Sequence, residues 1–439
     1  MKQTLDFNEF SNSTIEIWKK GVTKELGDKP YDSLIWSFDD NLRIDPYYAE
    51  SNQRLDVVAK LSKDWSIKES FVYSNPKELN KSLLLSLEGG VNAIEIILES
   101  DEKIDFELLF NEIFVQYIQV FFSGSFASSS TILDYFNYCE KKGIDRSSLT
   151  GGLLSHATSE ELSERIDLMT SHPSALCYFS IDASEVQTKG GHASHSIVFA
   201  LNEGARILGT LVERGVSASH AASALRFLFA SEPSYFIEIG KLRAFRTLWA
   251  QILKAYDADM DVSGAIQIDT RTSAFYQSSV DRHNNMLRAT TQSMSSIIGG
   301  TDTLEAIGFE MSLGKNTIES RRWARNIQHL LIEESYFNQL QDAAKGSYYI
   351  EEITFKLAAH AWSRFQFWQT KNESLANSIE WNAHIEFCFS EMKKAIENGS
   401  KVILGVNKYP NKSEKISQEK STPTRLVADF ESKIGEGAK

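Results

Sequence analysis

Along the middle of the chain, short apolar runs alternate with stretches whose apolar residues recur every three to four positions. The stretch 264–310 carries this pattern most plainly. Ala265, Gln267 and Asp269 alternate with Ile266, Ile268 and Thr270 behind Gly264, a period of two that suits a short strand. Arg271, Thr272 and Ser273 crowd its end, and Met286, Leu287, Thr290 and Met294 then follow at helical spacing. The Gly299-Gly300 pair stops that helix, and 303–307 predicts another strand. Strand, helix and strand in this order imply parallel strands joined by a crossover helix, and ligands in such folds meet the carboxyl ends of the strands.

The same rhythm extends both ways. Residues 92–98, 115–122 and 176–181 predict strands apolar enough for burial on both sides, and 225–230 returns to strand character. Helices are expected over 196–213, after Pro233-Ser234, over 318–334 and over 353–369. About eight such repeats fit between residues 85 and 375, the number a (β/α)8 TIM barrel requires, although an open doubly wound sheet has similar spacing. Ahead of them, 34–38 and 42–44 flank Asp39-Asp40-Asn41, the chemistry of a hairpin turn. Segment 64–69 reads as leading into a polar link. Residues 1–30 form an amphipathic start with Phe7, Phe10, Ile15, Ile17 and Trp18 on one helical face.

Composition narrows the function. A chain of 439 residues with 42% hydrophobic and 24% charged residues is that of a globular protein. A net charge of −13 argues against a nucleic-acid partner, whose phosphates need a basic footprint. Cys139, Cys177 and Cys388 are widely separated, so a reduced, cytoplasmic setting is expected. Neither a signal peptide nor a membrane span is read. Four groups of residues invite chemistry. His192 and His195 have metal-ligand spacing but no third ligand nearby in sequence, and read as a loop and helix start. Gly190-Gly191 and Gly299-Gly300 read as turns. Lys241, Arg243 and Arg246 suit either a CoA phosphate or salt bridges, the commoner use. Glu333 and Glu334 form a carboxylate pair.

Several blocks in fixed order carry a family resemblance: EIGKLRAFRTLWA (238–250), RTSAF and NNMLRAT (271–290), GGTDTLEAIGFE (299–310), ARNIQHLLIEES (324–335), KGSYYIEEIT (345–354) and KVILGVNKY (401–409). Together they resemble the methylmalonyl-CoA mutases, most of all their small, or beta, subunits. The resemblance implies a TIM barrel whose large-subunit counterpart binds acyl-CoA along the barrel axis. Adenosylcobalamin caps that barrel, carried by a flavodoxin-like domain.

The departures from the active pattern shape the expectation. The Tyr-His pair that holds the substrate carbonyl in active members falls on Ser184 and Glu185, and an ionised carboxylate donates no hydrogen bond. The aromatic and arginine-rich segment that threads the substrate has no counterpart between Ala49 and Trp65. Gly152, Leu153, Leu154 and Ser155 stand where substrate-facing polar residues are expected. The DxHxxG signature of the cobalt ligand has only a distant echo in Asp281, His283 and Met286, read as an accident of position.

The resemblance therefore implies an amino-terminal, partner-wrapping arm over 1–75, a barrel with a helical linker over 76–409, a flexible tail over 410–439, and no carboxyl-terminal cobalamin-binding domain. No catalytic residue is expected. Residual ligand contacts are sought at Arg271, Ser273, Gly299, Gly300, Asp302 and Glu334, with no metal site. The implied role is a non-catalytic small subunit paired with a large (alpha) mutase subunit, adenosylcobalamin being bound in the complex and not by this chain alone. An independent acyl-CoA mutase or acyl-CoA-binding barrel that borrows a cobalamin domain from another chain is the alternative.

Overall fold

The structure, a computed structural model, describes residues 14–39, 42–49, 55–157, 159–256, 266–411, 425–428 and 430–431. The first helix, Ile15–Leu26, is capped by the Thr14 side chain, which accepts from the Ile17 N–H. None of its residues is fully buried. Trp18 leans on Tyr47 and Tyr31, with ring centroids 4.9 and 6.5 Å away. Phe7 and Phe10 lie outside the described residues. The hairpin forms as expected: β1 (Trp36–Phe38) pairs antiparallel with β2 (Leu42–Ile44), while Asp40 and Asn41 of its turn lie outside the described residues.

Nine parallel segments make up the main sheet. They are β3 (Ser66–Val72), β4 (Ala93–Ile97), β5 (Gln119–Ser123), β6 (Thr150–Leu153), β7 (Ala175–Cys177), β8 (Phe179–Asp182), β9 (Leu225–Ser231), β10 (Gln267–Thr272) and β11 (Thr303–Glu305). Their order, β7-β6-β5-β4-β3-β11-β10-β9-β8, starts at β7 and finishes at β8. Only Tyr178 separates those two segments in sequence, so the sheet closes on itself. β7 and β8 are one barrel stave that changes partner midway, from β6 to β9. The result is a TIM-like α/β barrel wrapped by helices, among them Pro76–Glu88, Ser129–Lys141, Ala193–Glu213, Tyr235–Ala255, Asn284–Gly299 and Ile318–Glu333. The strands' outward faces form the main core: Ile94, Ile96, Val120, Phe122, Phe227 and Phe229 are buried beneath the helices.

Three expectations change, and one strand appears that the sequence did not signal. Segment 64–69 leads into no link; it runs into β3, the first stave, so the barrel starts inside the stretch assigned to the arm at 1–75. Its polar look arises because Lys68 and Ser70 bond Glu95 of the neighbouring β4 on the interior face, while Glu69 meets Arg325 and Ser86 on the helical side. Residues 115–122 divide into a single turn, Val115–Tyr117, and the strand β5. Strand β6, TGGL, carries no sequence signal of its own, because Gly151 and Gly152 are required by close approach. Their φ values are +110° and +126°, and a Cβ on them would stand 2.0 Å from the carbonyl oxygens of Val120 and Cys177. Lastly, the tail expected to be flexible over 410–439 docks where it is described. Leu426 and Val427 are fully buried with Phe275, Tyr276 and Ile396, and Glu431 accepts from Ser278, Ser279 and Arg425. No helix among the described residues is long and apolar enough to cross a membrane.

Candidate functional site at the carboxyl ends of the strands

Ligands of a parallel barrel meet the carboxyl ends of its strands, and below that end the axis of this barrel is filled. Alternating polar residues on β3, β4, β5, β9, β10 and β11 turn to the axis and bond one another in two tiers. In the lower tier Arg226 donates to Asp269 at 2.8 Å and to Thr303 at 2.6 Å, and Gln119 donates to Ser66 at 2.9 Å. In the upper tier Glu95 accepts from Lys68 at 2.8 Å, Ser123 at 2.7 Å and Arg271 at 3.1 Å, and Arg271 also reaches Glu305 at 2.6 Å. The Phe121 ring lies between the tiers, with Arg226 4.7 Å and Lys68 5.7 Å from its centroid. Glu95 shows the balance of forces: burial raises its pKa, but Lys68 and then Arg271 outweigh burial and hold the carboxyl below the usual range.

Ser184 and Glu185 open a short helix at the end of β8. The Ser184 N–H donates to Asp182 at 2.9 Å, and its hydroxyl bonds the same oxygen. Glu185 turns outward to Lys189 at 2.9 Å, beside a cleft of about 260 Å³ that Asp182, Trp381 and Ile385 also line. Neither residue reaches the axis network. Of the residual candidates, Arg271 is a member of the plug, and Ser273 is buried just beyond it. Gly299, Gly300 and Asp302 stand at the opposite, amino-terminal end of the barrel, where Asp302 accepts from the Ile268 N–H and from Arg246, both at 2.8 Å. Glu334 is exposed past the helix Ile318–Glu333, whose His329 meets the Gly89 carbonyl ahead of β4, again at that end. Residues on that face of a barrel hold the fold. The six candidates therefore do not form one site.

The basic trio is buried, not a surface patch for phosphate. Lys241 bonds Glu238, Gln187 and the Ala230 carbonyl. Arg243 pairs with Asp342 at 3.0 Å and Glu351 at 2.9 Å, and Arg246 is committed to Asp302, Ile266 and Gly300. Around Lys241 lies a buried titratable group that sequence reading missed. Burial foremost, then the Glu238 carboxylate, pushes Glu232 up to about 8, and Lys401 reaches the nearby Tyr276 hydroxyl at 3.3 Å. Asp39, from the hairpin, accepts from the Ser194 N–H at 2.7 Å and so closes the start of Ala193–Glu213. His192 turns toward Asp39 at 3.7 Å. His195, by contrast, meets His384 and Cys388, which no spacing in the sequence had joined to it.

A family model described as methylmalonyl-CoA mutase matches residues 100–429, three quarters of the chain. The chain belongs to the methylmalonyl-CoA mutase family. It is 25% identical to the methylmalonyl-CoA mutase small subunit of Porphyromonas gingivalis, over 93% of this chain and 71% of that one. A small subunit from Streptomyces virginiae is 24% identical, over 94% and 73%. The methylmalonyl-CoA mutase of Escherichia coli is also 24% identical, over 90% of this chain; the match spans 64% of that relative's length.

Within the methylmalonyl-CoA mutase family a corrin has to be considered, and the described residues do not fit one. His283 is exposed on the approach to Asn284–Gly299, with its ring 5.3 Å from that of Phe309. Met286, half-buried in that helix, stands where the resemblance called for a glycine. No cobalt chemistry is therefore assigned to this chain.

Proposed function

We propose that this mutase-family barrel is a non-catalytic small subunit that pairs with a large mutase subunit, which carries out the interconversion of methylmalonyl-CoA and succinyl-CoA with adenosylcobalamin. One observation carries the reading. The axis, where a family barrel would admit the acyl-CoA, is taken up by Lys68, Glu95, Arg271, Glu305 and Phe121, bonded or stacked on one another. Opening it would strand buried charges, which costs several kcal/mol per ion. The arm supports the same reading: the helix Ile15–Leu26 has no fully buried residue and leaves Ile17 55% exposed, a face suited to a partner. Ser184 and Glu185 supply no imidazole to grip a thioester carbonyl.

The test is co-expression with a large mutase subunit, followed by the mass of the intact complex. A one-to-one complex is expected, whose turnover vanishes when the large subunit's cobalt ligand is removed and survives Glu185→Ala in this chain. Turnover by this chain with an isolated cobalamin domain, or failure to associate with any large subunit, rejects the proposal.

A further inference from the structure

Three metal-binding side chains meet at the outer side of the barrel. His195 lies fully buried on the first turn of Ala193–Glu213, and His384 and Cys388 stand one turn apart on the helix Ile379–Glu397. The Nε2 atoms of His195 and His384 are 3.2 Å apart, and Cys388 Sγ is 3.9 Å from His384 Nε2. All three donor atoms lie within 4.8 Å of one another. With Zn–N near 2.0–2.1 Å and Zn–S near 2.3 Å, the edges of a tetrahedron around zinc are roughly 3.3–3.6 Å, so small side-chain shifts bring all three donors to bonding distance of one ion.

We propose that His195, His384 and Cys388 form a zinc site that ties the helix Ile379–Glu397 to the start of Ala193–Glu213. Two imidazoles and a thiolate are a borderline-soft donor set of the kind zinc takes. The fourth ligand is water, admitted from the adjoining surface cleft of about 500 Å³ that His384, Trp381, Arg364 and Glu380 line. Binding forms a Zn–S bond and releases the Cys388 thiol proton to solvent. His195 exchanges one bond for another. The His192 N–H donates to its Nδ1 at 3.0 Å, which keeps the ring proton on Nε2; coordination moves that proton to Nδ1 and gives up the His192 contact. Arg364, whose guanidinium is 3.5 Å from His195 Nε2, opposes the cation and sets a ceiling on affinity. This site is independent of the barrel's role as a subunit.

The experiment uses the full chain, stripped with a chelator and titrated with Co2+ and then Zn2+. Expected are one equivalent of cobalt, a thiolate-to-cobalt charge-transfer band, and the strong visible bands of a tetrahedral ion, all displaced by zinc. Cys388→Ser is expected to abolish the charge-transfer band and weaken zinc at least tenfold, His384→Gln to weaken it similarly, and Cys139→Ser, elsewhere in the fold, to change neither. Arg364→Gln is expected to tighten zinc severalfold. Should Cys388→Ser not fold, His384→Gln and Arg364→Gln decide by their opposite directions. Less than one equivalent bound at micromolar metal, or a charge-transfer band that persists in Cys388→Ser, overturns the proposal.

Discussion

Replacing Glu95 by leucine probes the ion pairs that fill the barrel. The Glu95 carboxylate is the nearest anion to Lys68, at 2.8 Å, and the Lys68 side chain is 0% exposed. After Glu95→Leu, the anion left to Lys68 among the described residues of that network is Glu305 at 3.9 Å, which Arg271 shares. Arg271, 29% exposed and still 2.6 Å from Glu305, is buffered, so the loss is assigned to Lys68. Removing one partner of a buried pair costs about 3–5 kcal/mol. With an unfolding entropy of about 2.1 cal/mol/K per residue and 439 residues, that is a fall of roughly 3–5 °C in the thermal midpoint. The assay is thermal and denaturant unfolding at pH 7, alongside Lys68→Met in the Glu95→Leu background. The double variant no longer buries the stranded cation and is expected to regain most of the loss, as apolar replacement of buried ion pairs generally does. The sign with pH follows from the lowered pKa of Glu95. Its contribution is complete above the unfolded value of about 4.3 and disappears as pH falls through the lower folded value, so the deficit persists at pH 5 and narrows in stronger acid. A Glu95→Leu protein within about 0.5 kcal/mol of wild type, or a double variant weaker than the single one, would refute the account of the plug.

Three further outcomes are expected. Glu232, pushed up to about 8 by burial and then by Glu238, keeps in the fold a proton that the unfolded chain loses above about 4.3; stability therefore falls as pH rises from there to about 8, and Glu232→Gln should flatten that slope in unfolding measured at pH 5 and pH 8.5. An unchanged slope rejects the assignment. Gly152→Ala places a Cβ 2.0 Å from the Cys177 carbonyl oxygen at a φ of +126°, a change of the class that costs about 4 kcal/mol or more, so soluble yield on expression should collapse; normal yield and melting would contradict the close approach. Asp39→Ala removes the 2.7 Å bond to the Ser194 N–H and should cost about 1 kcal/mol, as lost helix caps do, with faster proteolysis around the β1–β2 hairpin; equal cleavage rates would show that the hairpin is held otherwise.

What the sequence alone settled was local. Short apolar runs, with a period of two in one of them, located most staves, and a period of three to four located the helices, because strands and helices bury their apolar faces against each other. The order of several blocks also pointed to the mutase family, which spacing alone could not have done. The structure decided whatever depends on residues far apart in the chain meeting. Strand β3 looked like a linker because Lys68 and Ser70 turn to a charged interior, where pairing of β3 with β4 sets Glu95 beside them. Strand β6 has no pattern because its glycines answer to the carbonyls of β5 and β7. Arg271, Gly299, Asp302 and Glu334 sit near one another in sequence or in family motifs, yet each crossover helix carries the chain from one end of the barrel to the other, so they part. His195, His384 and Cys388 converge for the same reason in reverse: side chains from two helices more than a hundred residues apart meet, and a distance in space set by packing leaves no trace in the spacing of letters.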